Sequence, residues 1–269
     1  MMYGRLSKIK KQKLSWGTKR VLWTDWDELK TSGYVIDFKS QASYEAWANK
    51  NSENLCIVEQ GSGILVFNGQ SYPVHKKYVF KIFPGQEPVI KPKGKLTILS
   101  VQMPSTMPNK KRTGENMKTL KVINVDTVPS KVYEYETLGQ EILTPKYFPG
   151  LGLIKFAFVN PIPIHRHPLS ARLIRPISGK GFTFMEPNVY EAHADTFALF
   201  KKGIVHTNGN IPGRVLNLYA VQMPWIESGI DEEDIGGSPR FVKYVGVTPP
   251  KQLWKKKPDF VRLIKLLKK

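Results

Sequence analysis

The sequence has a single cysteine and no long apolar run, and each absence narrows the class of protein. One thiol cannot form an intramolecular disulfide or a multi-cysteine zinc site, and Cys56, inside the apolar stretch 55–58, is predicted to be buried and inert. No segment approaches the roughly 18 apolar residues of a membrane span, and the first residues are lysine-rich, unlike a signal peptide. We therefore expect a cytoplasmic protein.

Several motifs of common enzyme classes are also missing. The sequence contains no glycine-rich phosphate loop, no Gly-x-Ser-x-Gly elbow and no arrangement of cysteine and histidine typical of a thiol nucleophile. These absences argue against nucleotide-dependent and serine-hydrolase chemistry.

The net charge of +19 is concentrated at the two ends of the chain. Residues 1–20 and residues 251–269 each carry a net charge of +7, so basic ends rather than a basic body account for most of the excess. Nucleic acid or an anionic membrane could bind such ends, but the favoured interpretation is a solvated basic surface. Near the C-terminus, helical periodicity predicts a short basic helix whose apolar positions are Phe260, Leu263, Ile264 and Leu267.

Short runs of β-branched and aromatic residues, separated by turn formers, predict an all-β protein built as an antiparallel barrel or sandwich. The sequence repeats itself: residues 61–67 match 179–185, and Val-Gln-Met-Pro at 101–104 returns at 221–224. Two β-domains of one design are therefore expected. The predicted divisions are a basic arm (1–30), a first domain (31–104), a linker (105–116), a second domain (117–227) and a basic extension (228–269).

Two histidines one residue apart are the strongest chemical signal. Side chains at positions i and i+2 of a strand share a face, so His165 and His167 can present two imidazoles to one point. A neighbouring strand could add His206, which lies just before the strand that closes the repeat.

The His-x-His pair before a Gly-x-Gly turn, with His206 and Asn210 further on, resembles the two-part motif of the cupin superfamily, and the repeat resembles a bicupin. The resemblance implies two tandem antiparallel jelly-roll barrels. It also implies a mononuclear metal held by His165, His167, His206 and a glutamate. Seven residues before the turn glycine, where that glutamate is expected, stands Arg172.

The first half departs further from the motif. At an offset of 118 residues the two histidines are replaced by Trp47 and Asn49, and the counterpart of His206 falls in the range 86–88. No metal triad remains, so this barrel is predicted to be structural or to hold a ligand without metal.

Arginine at position 172 is open to two interpretations. A guanidinium does not bind a metal, but it holds a carboxylate or phosphate in two-point contact and suits an anionic substrate. The loss of the carboxylate could instead mark a decayed site. Glu186 and Glu191 are candidate substitutes for it, or solvent-facing acids, while Asn217 and Tyr219 share a strand face and could position substrate or form a core pair.

The predicted function is a metal-dependent enzyme acting on a small anionic metabolite. Three histidines would hold one divalent transition metal (Fe, Mn, Ni or Zn), with Arg172, Asn217 and Tyr219 as catalytic candidates. Oxygenase (an oxidoreductase), isomerase and lyase chemistry are all implied by the resemblance, which also accords with a homodimer. The alternative is a non-catalytic bicupin, a binding or structural protein whose basic termini attach to an acidic partner.

Overall fold

A computed structural model describes residues 1–105, 116–133, 137–147, 149–158, 162–211, 214–226, 230–235 and the strand at 243–245. Within these ranges the chain is almost entirely β, as predicted, with one short α-helix, α1 (Tyr44–Trp47). The predicted C-terminal helix lies outside the described residues. The strands are β1 (Met2–Arg5), β2 (Gln12–Leu14), β3 (Gly17–Trp26), β4 (Thr31–Phe38), β5 (Ser52–Phe67), β6 (Gln70–His75), β7 (Tyr78–Ile82), β8 (Val89–Pro104), β9 (Lys121–Asn124), β10 (Lys131–Val132), β11 (Leu138–Leu143), β12 (Gly152–Phe158), β13 (His165–Arg166), β14 (Ala171–Ser178), β15 (Gly181–Met185), β16 (Asn188–Ala192), β17 (Thr196–Phe200), β18 (His206–Asn210), β19 (Leu216–Met223), β20 (Glu233–Asp234) and β21 (Lys243–Val245).

The strands form two compact units. Among the described residues, the first barrel comprises those in 8–128 and 145–151, and the second barrel those in 1–7, 129–144 and 152–245. No helix in the described ranges is long and apolar enough to cross a membrane.

The first barrel is one antiparallel sheet in the order β2-β3-β4-β8-β5-β7-β9, with β6 paired to β5. Both β5 and β8 are 16 residues long, and irregular pairing on β5 near residues 58–62 lets one strand serve both layers of the barrel. Alternate residues of the strands face inward, as the period of two requires. The core includes Trp16, Ile36, Phe38, Tyr44, Trp47, Cys56, Phe80, Ile82 and Ile98.

The second barrel has two sheets, ordered β1-β17-β14-β19-β12-β11-β10 and β20-β13-β18-β15-β16-β21. In the described part of this barrel the strands pair antiparallel, except β16 with β21, which are parallel. Its core includes Phe158, Ile174, Met185, Ala198, Phe200, Leu216, Leu218 and Ala220.

The sequence repeat is also a repeat of strand register. Asn54 pairs with Gln102 between β5 and β8, and Arg172 pairs with Gln222 between β14 and β19. These four positions are related by the same offsets of 118 and 120 residues that relate the sequence motifs. The two barrels therefore place corresponding residues at corresponding points of the sheet.

Each repeated motif begins with a glycine, and the backbone requires glycine there for the same reason in both barrels. Gly61 and Gly179 have φ angles of 79° and 80°, in the left-handed region that favours glycine. A Cβ atom would lie 1.9 Å from the Lys95 carbonyl oxygen in one case and 1.8 Å from that of Val215 in the other. Only glycine fits where the chain passes so close to a neighbouring backbone.

The structure divides the chain differently from the predicted domain boundaries. Residues 1–30, expected to form an arm, contain β1, β2 and β3, because strand-forming residues such as Val21 and Trp23 outweigh the basic charge that suggested an arm. Arg5 forms an ion pair with Glu191, 2.7 Å away. Most of the predicted linker lies outside the described residues, and residues 145–151 belong to the first barrel although the second barrel flanks them in sequence.

A buried ion pair fixes the segment 145–151 within the first barrel. The Lys81 ammonium lies 2.7 Å from a carboxylate oxygen of Glu53, and both side chains are about 1% exposed or less. The Tyr147 hydroxyl donates to Glu53, the Leu151 amide donates to it at 2.7 Å, and Lys81 donates to the Leu151 carbonyl at 3.0 Å. The Glu53 carboxylate and the Lys81 ammonium are thus both paired and hydrogen-bonded, the condition under which a buried charge is tolerated.

Candidate metal centre

The second barrel brings the three predicted histidines together. His165 on β13 lies directly opposite His206 on β18, and His167 follows two residues later. The ring centroids of His165 and His206 are 4.4 Å apart, and that of His167 is 4.9 Å and 5.2 Å from the other two. One ligand atom from each residue lies within 4.8 Å of the others.

The hydrogen bonds of the rings leave the correct atoms for a metal. Each Nδ1 lies 2.6–2.9 Å from a backbone carbonyl: Pro163 for His165, Asp231 for His167 and Ile204 for His206. A carbonyl can only accept, so Nδ1 carries the proton and Nε2 offers a lone pair. The buried Nε2 of His167 has no hydrogen-bond partner. This is the pattern of metal-ligating histidines, and the donor set fits a divalent transition metal.

The surroundings keep the imidazoles of His167 and His206 neutral. Burial lowers the pKa of His167 far below its ordinary value, and the charges of Arg172 and the other two histidines lower it further. Burial also lowers the pKa of His206, with His165 and Arg172 contributing. Neutral imidazole is the form that binds a metal, so no protons need be displaced.

Arg172 faces this cluster from the other sheet. On β14 it lies opposite Phe200 of β17, whose ring stacks on His206 at a centroid distance of 4.2 Å. Ile174, two residues along the strand, is in the core. The Nε of Arg172 is buried and has no hydrogen-bond partner, and burial lowers its pKa to about 10. A guanidinium beside the neutral imidazoles of His167 and His206, with a donor that has no hydrogen-bond partner, suits an anionic ligand.

Arg175, by contrast, is held by the backbone. Its guanidinium donates to the carbonyls of Pro176, Ala194 and Thr196 at 2.6–3.1 Å. It lies three residues beyond Arg172 and therefore on the other face of β14.

Asp231 is a functional candidate that the sequence did not reveal. Its carboxylate, 2% exposed, accepts from the Leu169 amide at 2.6 Å, from the Ser170 hydroxyl and from the Gln222 amide at 3.3 Å. Its backbone carbonyl accepts from His167. Asp231 therefore fixes the turn that follows the His-x-His pair. The only signal in the sequence is an acidic run, 231–234, in a basic protein.

The structure does not bring Asn217 and Tyr219 to the histidines. Leu218 and Ala220 of the same strand pack in the core, so residues 217 and 219 face the opposite side of β19. Asn217 donates to the Ser178 hydroxyl at 3.0 Å, and Tyr219 lies opposite Lys155 and Arg175. A role for either residue in chemistry at the histidines is not supported.

The other sequence candidates have structural partners. Asn210 donates to the carbonyl of Arg214 at 2.7 Å and closes a turn. Glu191 pairs with Arg5, and Glu186 is exposed in the turn after β15. Neither glutamate joins the three histidines in the metal-ligand group found among the described residues.

Comparison with known proteins shows which solved structures share the fold of this chain. No model of a protein family and no curated protein matches the sequence. Solved structures do match. Protein Ylba from E. coli is 10% identical, with a TM-score of 0.67, over 84% of this chain and 92% of that one. A variant of the oxalate decarboxylase OxdC from Bacillus subtilis is 11% identical, with a TM-score of 0.64, over 87% and 79%.

Vicilin from hazelnut (Corylus avellana) is also similar, at 11% identity and a TM-score of 0.60 over 82% of this chain and 85% of that one. These neighbours are cupin-family proteins. At identities near 10% the likeness establishes the arrangement of the backbone and leaves chemistry to the residues of the site.

Proposed function

Starting from the premise that this chain has the bicupin fold, we propose that it is a metal-dependent enzyme acting on a small anionic metabolite. The observation that supports this most is the buried Nε2 of His167, which has no hydrogen-bond partner and lies beside the ligand atoms of His165 and His206. An unpaired buried polar atom costs free energy unless something binds it.

The residues divide into two roles. The three histidines would hold one divalent ion, which when bound would supply Lewis-acid or oxygen-activating chemistry. Arg172 would bind the acidic group of the substrate and orient it toward the histidines, since its buried Nε has no hydrogen-bond partner and its charge acts on both His167 and His206. Phe200, stacked on His206, and Met185, opposite it on β15, exclude water from that side.

The choice of an anionic substrate rests on charge. A half-buried guanidinium whose Nε is buried without a hydrogen-bond partner is costly in the absence of an anion. The acids that act on Arg172 electrostatically are Glu232 and Asp231, and Asp231 already accepts hydrogen bonds from the turn at residues 167–170. A carboxylate or phosphate group would supply the missing negative charge. Oxalate, named for one structural neighbour, is a small anion of this kind.

Elemental analysis tests the proposal. The full chain, purified without chelator and also reconstituted with Fe, Mn, Ni or Zn, is compared with the double variant His165→Ala, His206→Ala. We expect close to one ion per chain in the parent and less than about a tenth of that in the variant. His75→Ala, at an exposed histidine of the first barrel, is the matched control and should keep its metal. A parent that binds no metal after reconstitution would overturn the enzyme proposal.

A second candidate function is favoured by the arginine at the position where a ligand glutamate is expected. In that case the protein binds a ligand or partner without turnover, and its basic ends attach to an acidic surface. Binding to DNA, RNA or anionic vesicles that weakens steeply with added salt, and survives loss of the histidines, would support this function.

A further inference from the structure

We propose that the first barrel has its own metal-free binding site for a small carboxylate, at the interior end that corresponds to the histidine cluster of the second barrel. This inference does not depend on the proposed function, because every residue that carries it belongs to the first barrel.

The position follows from the register. Asn54 occupies in β5 the place of Arg172 in β14, opposite a glutamine in each barrel. Cys56, two residues along, is in the core, so Asn54 faces the barrel interior. Trp47, which stands in the sequence where the second barrel has His165, is also in this core, 1% exposed.

Three buried donors at this end lack an acceptor. The Tyr44 hydroxyl, the Trp47 indole Nε1 and the Asn54 Nδ2 are all buried, and none of them makes a hydrogen bond of normal geometry; the Asn54 amide lies close enough to the Tyr44 hydroxyl to interact with it. The rings of Tyr44 and Trp47 are in contact, with centroids 5.0 Å apart. Buried polar groups in native proteins are almost always paired, so three unpaired donors in one cluster indicate a missing acceptor.

The orientation of the Asn54 amide is fixed by its own neighbours. Its Oδ1 accepts from the Ser100 hydroxyl at 2.9 Å and from the Cys56 thiol at 3.4 Å. Gln102 in turn donates to the Ser100 hydroxyl at 3.3 Å. Because these bonds use the carbonyl oxygen of the amide, the amide nitrogen is left to donate to a ligand.

Lys19 supplies positive charge beside the same cluster. It lies on β3 opposite Ile36, a core residue, and therefore on the inward face. Its ammonium is 3.7 Å from the centre of the Tyr34 ring and 3.5 Å from the Trp47 carbonyl oxygen. In the described part of the chain it forms no ion pair with an acid. A partly buried cation without an anion favours a negatively charged ligand.

These groups together fit a carboxylate better than water. A water molecule accepts two hydrogen bonds and carries no charge, whereas a carboxylate has two oxygens and about four acceptor positions. Three neutral donors and one ammonium match that capacity. A site filled only by ordered water is the competing outcome that the experiment must separate.

The test observes Trp47 directly in the full-length protein labelled with 15N in its tryptophan indoles. The variants Trp47→Phe and Trp16→Phe assign two of the six indole signals; Trp16 is the matched control because it stacks on Phe38 in the same core. Formate, acetate and oxalate are then titrated at constant ionic strength. We expect a saturable downfield shift of the Trp47 indole proton, and no saturable shift of the Trp16 signal.

Two substitutions then test the proposed contacts. Lys19→Met and Asn54→Leu should each weaken carboxylate binding by about tenfold. Arg172→Asn, in the other barrel, should leave the Trp47 titration unchanged, which separates this site from the one under Proposed function. Trp47 and Trp16 signals that move in parallel, no shift with any of the three carboxylates, or a titration unaffected by both substitutions would overturn the proposal.

Discussion

The two barrels keep the same strand register but differ in the side chains at their interior ends. Arg172 and Gln222 face each other in the second barrel where Asn54 and Gln102 do so in the first. Trp47 replaces a histidine. The backbone of the repeat is thus constrained by turns and pairing, while the residues that carry chemistry have diverged. The same scaffold holds a cluster of imidazoles in one copy and neutral donors in the other.

The two barrels also differ on the other face of the same strands, which are β5 and β7 in the first barrel and β14 and β17 in the second. Glu53 and Lys81 form the buried ion pair of the first barrel, and the corresponding positions of the second barrel hold Ala171 and Leu199. One barrel therefore depends on a charge pair at a point where the other has apolar residues.

Breaking that pair should have the largest effect. Lys81→Met leaves the Glu53 carboxylate buried without its cation, and we expect the free energy of unfolding of the first barrel to fall by about 3–5 kcal/mol, measured by urea denaturation. The double variant Glu53→Gln, Lys81→Met removes both charges and should lose less. Equal losses in the single and double variants would show that the charge pair itself is unimportant.

The same pair predicts a pH dependence. Burial alone would raise the pKa of Glu53, but the charge of Lys81 and the hydrogen bonds from Lys81, Tyr147 and the Leu151 amide outweigh it and hold the pKa below its usual value. A carboxyl with a lowered folded pKa stabilises the fold above its unfolded pKa, near about 4.3, and that stability is lost as the pH falls through the folded pKa. We expect Glu53→Gln to flatten the acid limb of the stability profile, and an unchanged limb would contradict this.

The next largest effect is expected from replacing Arg172 with asparagine, the residue at the corresponding position of the first barrel. In Arg172→Asn protein loaded with Co²⁺, binding of acetate or oxalate, followed by the absorption spectrum of the metal, should weaken by about 10- to 100-fold, since a charge-assisted contact is lost. Metal content should be unchanged. Arg166→Asn, at an exposed residue paired with Glu233, is the control and should bind like the parent. Equal weakening in both variants would remove Arg172 from the site.

The smallest effect should come from the residue that supports the histidines. Asp231→Asn disturbs the turn at residues 167–170 but keeps the backbone carbonyl that accepts from His167, so we expect about a tenfold loss of metal affinity in a chelator competition. Glu233→Gln, two residues away and exposed, is the matched control. If both variants lose affinity alike, Asp231 has no special role.

The sequence predicted those parts of the structure that depend on local spacing. The i, i+2 rule and the repeat identified the histidines, and counting from the turn glycine identified Arg172. The same rule grouped Asn217 with Tyr219 correctly but could not say which face of the strand is inward. The packing of Leu218 and Ala220 decides that, and both faces of β19 are largely buried.

Features that depend on distant pairing could not be predicted. Asp231 follows the repeat, and only the tertiary fold returns it to the turn after His167. The basic charge of the first residues predicted an arm where the structure has the strand β1. The sequence of β1 alone does not indicate its pairing with β17.

The pairing of β1 with β17 joins parts of the chain that are far apart in sequence: Tyr3 lies opposite Ala198, and its hydroxyl also donates to the Glu191 carbonyl of β16. In the sequence β1 precedes the first barrel and β17 follows it, so the partner of β1 is synthesised only after the whole first barrel. Bringing together two segments so far apart in the chain costs conformational entropy, and contacts of this kind form slowly. The histidine-bearing barrel can therefore close β1 onto β17 only after the first barrel has been synthesised.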